Sequence, residues 1–134
     1  MTDGDLFERD AASAALGITI VERESGHAVA TMLVREDMLN GFGIMHGGLI
    51  FALADTAFAF ACNDSSAVTL AAGADITFLR PVKLGQRLVA HASVRSLSGR
   101  SGIYDVTVRD ETDAAVAEFR GRSRTVGPPA PPSR

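Results

Sequence analysis

One segment, residues 46–63 (HGGLIFALADTAFAFACN), constrains the fold more than any other feature of this chain. Its apolar residues fall on nearly every face of a helix instead of along one stripe, and a helix that is hydrophobic all round has to be buried all round. A bilayer is not the burying medium, because a span takes about 20 apolar residues and this run is shorter and broken by Asp55. The rest of the chain must therefore wrap the helix.

The flanking sequence supplies strands for that purpose. Residues 5–16 read as a short N-terminal helix with an Asp cap and Gly17 as its stop. Residues 16–24 and 27–34 are β-rich runs separated by Ser25-Gly26, a hairpin signal. Residues 35–45 lose that pattern around Asn40-Gly41-Phe42-Gly43 and form a loop leading into the helix. Beyond the helix, residues 67–79, 86–97, 101–109 and 114–126 have strand character, with turn signals at Leu84-Gly85, Ser98-Gly99 and 110–113. Four strands without intervening helices predict an antiparallel meander. The architecture is thus α+β, an antiparallel sheet wrapped around one long central helix, which is the hotdog arrangement. A single domain is assigned to residues 1–126, since 134 residues at 46 % hydrophobic suffice for one core. The segment 127–134 has four prolines in eight residues and is expected to be a disordered tail. In one small subunit a sheet covers only part of such a helix, so the remaining apolar surface predicts a homodimer.

Several function classes are disfavoured. Thirteen basic and sixteen acidic side chains give a net charge of −3, so no global positive field invites nucleic acid. Cys62 is the only cysteine, which excludes an intramolecular disulfide framework and suits a reducing cytoplasm. No metal-ligating cluster is visible, and no cofactor is expected. Residues 1–10 carry three Asp and one Glu with no apolar run, so a secretory signal is not expected. The expectation is a cytoplasmic protein with neither a membrane nor a nucleic-acid partner.

Two constellations carry chemistry. Asp55 lies in residues 49–61, where only it and Thr56 are not apolar. Burying a lone carboxylate costs several kcal/mol unless it is paired, hydrogen bonded or protonated. The structural alternative is an Asp that bonds a nearby backbone amide. Asn40, His46, Gly47 and Gly48 lie at or just before the helix start, where free amides and the helix dipole favour a developing oxyanion. Glycine there admits a ligand close to the backbone. Alternatively His46 caps the helix and the glycines only make the turn.

Asn40-x5-His46-Gly47-Gly48-x6-Asp55 resembles the signature of the phenylacetate-degradation (PaaI-type) hotdog thioesterases, and residues 78–86 (FLRPVKLGQ) are also similar. The resemblance runs from about residue 16 to 126. It implies hydrolysis of acyl-CoA thioesters, often of aromatic or hydroxylated phenylacetyl type. By the same resemblance Asp55 matches the catalytic carboxylate, the Gly47 amide the oxyanion donor, Asn40 a side chain holding thioester or water, and His46 a positioning residue. One departure stands out: some relatives carry Ser or Thr on the following strand to hold the attacking water, and the aligned residue here is Ala71. Asp55 is then either a general base or a nucleophile.

Spacing adds a constraint. Gly47 and Asp55 are eight residues apart, roughly 12 Å along one helix at about 1.5 Å per residue. One carbonyl cannot touch both, so a shared thioester requires Asp55 from a neighbouring subunit with an antiparallel helix. The expected assembly is a homodimer sharing its active sites, paired further into a tetrameric dimer of dimers.

For the acyl-CoA itself, Gly48, Phe51, Thr56, Ala72 and Gly73 are candidate contacts, with core packing as the competing role for Phe51 and Ala72. Arg80, Lys83 and Arg122 are candidates for the CoA phosphates, with a solvated charged face as the competing reading. Two other functions remain open at this point: a hotdog enoyl-CoA hydratase or dehydratase with His46 as an essential base, and a non-catalytic acyl-CoA binder.

Overall fold

The computed structural model describes residues 3–64 and 67–127. The chain runs through α1 (Asp3–Glu8), α2 (Ala11–Ala15), β1 (Thr19–Glu24), β2 (His27–Leu33), α3 (Gly47–Cys62), β3 (Val68–Phe78), β4 (Arg87–Ser98), β5 (Ser101–Arg109) and β6 (Ala115–Gly127). All six strands join one sheet in the order β1-β2-β4-β5-β6-β3, and every neighbouring pair is antiparallel. This is the hotdog fold, with α3 packed on one face of the sheet.

The inner face explains how a bulky helix comes so close. On β2 and β4 the register sets Ala28 opposite Ala92 and Ala30 opposite Ala90, all four fully buried. These short side chains leave room for Leu53, Phe58 and Phe60 of α3, each at most 1 % exposed. Phe58 reaches β6, where a Cβ on Gly121 would fall 2.7 Å from its ring, so glycine is required by packing there. Its ring lies 5.8 Å from Phe119 and 5.5 Å from Tyr104, in tilted contacts that fix the helix rotation.

Two features depart from expectation and a third matches it. The N-terminal helix is two helices, because Asp10 caps α2 by accepting from the Ser13 amide at 3.0 Å, and Gly17 at φ +70° stops it. Only β4, β5 and β6 form a meander. β3 lies beyond β6 at the sheet edge, since residues 79–86 are no tight turn: Met45 donates to the Val82 carbonyl at 2.8 Å, which ties that crossing to the loop before α3. Finally, α3 is not covered all round, for Gly48, Ala52, Asp55, Ala59 and Cys62 form a stripe at helical spacing that is only half-buried or exposed. The proline-rich segment lies outside the described residues from position 128 onward.

Candidate active site

The candidate residues divide between two cavities at different heights on α3. At the helix start, Asn40, Gly47, Ile50, Phe78 and Arg80 line one of about 530 Å³. Halfway along, Asp55, Phe58, Ala59 and Cys62 face α1, α2 and β3 across another of about 370 Å³. No residue lines both.

The first cavity has largely apolar walls with a few donors set in them. His46 occupies the N-cap position in an extended conformation but makes no side-chain cap bond, and its ring is exposed. Its carbonyl accepts from Leu49 at 3.0 Å and from Ile50 at 3.4 Å, whereas the amides of Gly47 and Gly48 have no acceptor among the described residues. These are the orphan donors that every helix start presents, reinforced by the positive end of the dipole. A Cβ added at Gly47 would meet the Phe78 ring at 2.8 Å, so a larger residue there would have to displace that half-exposed ring. The Asn40 loop is held by its own side chain, whose Oδ1 accepts from Phe42 at 2.9 Å and from Ile44 at 3.4 Å. With the oxygen engaged, the Nδ2 amide is the end available to donate to a ligand.

The second cavity holds two carboxylates, Asp55 and Asp10. Asp55 is half-buried and makes no hydrogen bond or ion pair among the described residues, which removes the structural alternative of a backbone bond. Burial first, and the neighbouring Asp10 charge second, raise its pKa from the ordinary aspartate value. Cys62 shares the cavity, and burial, opposed in part by a backbone bond and assisted by Asp55, pushes its thiol up to about 12. A neutral thiol is no nucleophile. Ala71 and the buried Thr69 also line the cavity, and the Thr69 hydroxyl pairs with Thr125 at 3.0 Å.

Other candidates lie outside both cavities. Thr56 is buried, donating to the Ala52 carbonyl at 2.8 Å and contacting the Ser13 hydroxyl at 3.0 Å, so it faces α2 and not Asp55's cavity. Phe51 stacks edge-on against Phe119 at 5.2 Å. Ala72 and Gly73 sit at a bulge of β3 opposite Ser123 and Arg122. Arg122 alternates with buried Gly121 and Ser123, so it points from the outer face of the sheet, where it pairs with Asp75 at 2.9 Å. Arg120 likewise grips Asp105 with two bonds, at 2.7 and 3.1 Å. Lys83 is exposed beside the first cavity, which Arg80 enters. Two residues of the cavities carry no signal strong enough to single out in sequence. Phe78 closes over Gly47 only through tertiary packing, and Asp10 was overlooked although Asp-x-x-Ser, residues 10–13, is a legible cap.

Similarity to known proteins agrees with this geometry. Residues 42–117 match the family model of the thioesterase superfamily. The acyl-coenzyme A thioesterase PaaI of Escherichia coli is 44 % identical over 91 % of this chain and 87 % of its own length. The structure of the E. coli PaaI protein from the phenylacetic acid degradation operon superposes with a TM-score of 0.91 at 43 % identity, covering 94 % of this chain and 91 % of that one. A Streptococcus mutans protein bound to acetyl CoA superposes at 0.80 with 26 % identity, covering 84 % and 91 %. Carrying the signature from Asn40 to Asp55 on the fold it requires, the chain belongs to the thioesterase superfamily, in its PaaI-type hotdog branch.

Proposed function

We propose that this protein hydrolyses acyl-CoA thioesters to free acid and CoA, with aromatic acyl groups of the phenylacetyl type as its substrates, at a site assembled from two protomers. The observation that carries the proposal is the separation of a half-buried Asp55 from helix-start amides at Gly47 and Gly48, all without a partner among the described residues. Each group supplies half of what thioester hydrolysis needs. The Gly47 amide and the Asn40 Nδ2 donate to the carbonyl oxygen, stabilising the negative charge that grows there as the carbonyl carbon becomes tetrahedral. Asp55 of the neighbouring protomer takes a proton from water as it attacks, or attacks the carbon itself to give a mixed anhydride that water then opens. Collapse of the tetrahedral intermediate expels the CoA thiolate. Removal of Asp55 from bulk water makes it a better proton acceptor near neutral pH.

Two features support a second copy on this face. The half-buried stripe Gly48, Ala52, Asp55, Ala59 and Cys62 is made of small residues that admit another helix, and β3 is a sheet edge with Leu70 and Phe78 about half exposed. An antiparallel neighbour along that edge would carry each Asp55 toward the other chain's Gly47. Arg80, inside the first cavity, is the cation best placed for a CoA phosphate, with Lys83 beside it. The printed association of the S. mutans relative with acetyl CoA supports this ligand class. Thiol release from a panel of acyl-CoAs tests the function, with phenylacetyl-CoA expected to exceed aliphatic acyl-CoAs in kcat/KM. Hydration of an enoyl-CoA without thiol release would replace the reading.

A further inference from the structure

Asp55 does not face an empty cavity. Groups directed at it come from each packed element: Asp10 and Arg9 from the junction of α1 and α2, Cys62 from α3 itself, and from β3 only the uncharged Thr69, Leu70 and Ala71. Asp10 is the one held in a hydrogen-bond network. Its two carboxylate oxygens accept from the Ser13 amide at 3.0 Å and from the Ser13 hydroxyl at 2.7 Å. Ser13 is 2 % exposed, and its hydroxyl also contacts that of Thr56 at 3.0 Å, next to Asp55 in sequence. The Thr56 hydroxyl is anchored in turn on the Ala52 carbonyl at 2.8 Å. A cap needs only the amide bond; the Ser13 hydroxyl adds a second hold on Asp10 and packs against the Thr56 hydroxyl of α3.

We propose that Asp10 is a positioning residue for hydrolysis: held by the buried Ser13, which packs against Thr56 of α3, it keeps a second negative charge on the wall of the Asp55 cavity and so sets how strongly Asp55 draws a proton from water. The inference rests on Asp55 being the base. A like charge on the same cavity wall disfavours the ionised form of Asp55, so the Asp10 charge makes proton uptake by Asp55 easier. The same assignment gives α1 and α2 a role beyond covering the core, since they carry the residue that tunes the reaction.

The test is the pH profile of kcat/KM for the full-length wild type, Asp10→Asn and Asp10→Ser, with Asp55→Asn as reference and thermal unfolding measured for each. Asn and Ser both keep an N-cap acceptor, so the fold should persist while the charge goes. The acid limb should move to lower pH in both neutral variants, with the plateau rate reduced by less than about tenfold as the base weakens. An acid limb at the wild-type position in folded Asp10→Asn and Asp10→Ser, with Asp55→Asn inactive, would overturn the tuning role and leave the function standing. Near-wild-type hydrolysis by Asp55→Asn would instead remove the assigned base and this inference with it.

Discussion

The two cavities on α3 differ in kind. The one at the helix start has apolar walls and offers donors, with amides at Gly47 and Gly48 that lack an acceptor among the described residues, a loop pinned by the Asn40 oxygen and Arg80. The one at mid-helix centres on the Asp55 carboxylate, with Asp10 and Arg9 as the other charged residues of its described lining. A rigid helix keeps donor and base about 12 Å apart, so neither end quenches the other by forming an internal bond. Under the proposed shared site each half is incomplete in one chain, and the catalytic distance would be set by how two helices pass each other, not by any loop.

The comparison can be broken from either side. Asp55→Asn should lower kcat by at least about a hundredfold with the fold intact, since volume is kept while the base or nucleophile is lost. Steady-state thiol release measures this, and activity within a fewfold of wild type would leave the mid-helix cavity without a role. Asn40→Ala should cost about tenfold to a hundredfold, because one of two oxyanion donors is removed and the loop loses its bonds to Phe42 and Ile44. His46→Ala should cost less than either, as its exposed ring makes no cap bond and the donors are amides. A loss equal to that of Asp55→Asn would bring back the dehydratase reading.

Stability sharpens the contrast through pH. Because Asp55's folded-state pKa is raised, the folded protein holds more protons than the unfolded chain between 3.8 and that raised value. Stability from this residue therefore falls as pH rises through the window. Asp55→Asn should be more stable than wild type at neutral pH, with the gap closing on acidification, as calorimetric scans of both proteins would show. Smallest of all is the effect at Cys62, whose thiol is pushed up to about 12. It should resist alkylation by iodoacetamide at pH 7.5, and rapid labelling of folded protein would show that its cavity is wetter than described.

Much of this was readable from the sequence, and the exceptions have physical causes. The central helix was expected over 46–63 and spans Gly47–Cys62, because an apolar run of that length flanked by Gly and Asn has few other fates. The strand expected over 101–109 matches β5, bounded by Gly99 at φ +59° on one side and by Asp113 at φ +69° beyond its other end. The order of strands was not legible, since placing β3 beside β6 depends on where residues 79–86 cross and on the Met45 to Val82 bond. The division of α1 from α2 was legible in principle at Asp10 and Ser13, but the cap was read five residues too early, at Asp5. Within the site, Gly47 and Asp55 stood out because a stability argument would place neither there. Phe78 and Asp10 did not, for a residue that acts across a tertiary gap leaves no periodic trace in its own segment. Arg122 was open between a CoA contact and a solvated charged face, and it lies on the outer face of the sheet, where Asp75 pairs with it.

The shared site is the central claim, and complementation between two damaged chains tests it most directly. Asn40→Ala and Asp55→Asn, the two most strongly impaired variants, are co-expressed under different tags and the doubly tagged species is purified. In a mixed dimer one site draws Asn40 from the Asp55→Asn chain and Asp55 from the Asn40→Ala chain, so that site is intact while its twin carries both lesions. Purified mixed dimers should hydrolyse their best acyl-CoA at about half the wild-type rate, and an unsorted random mixture at about a quarter. Mixed dimers as inactive as their parents would place each site within a single chain and contradict the account.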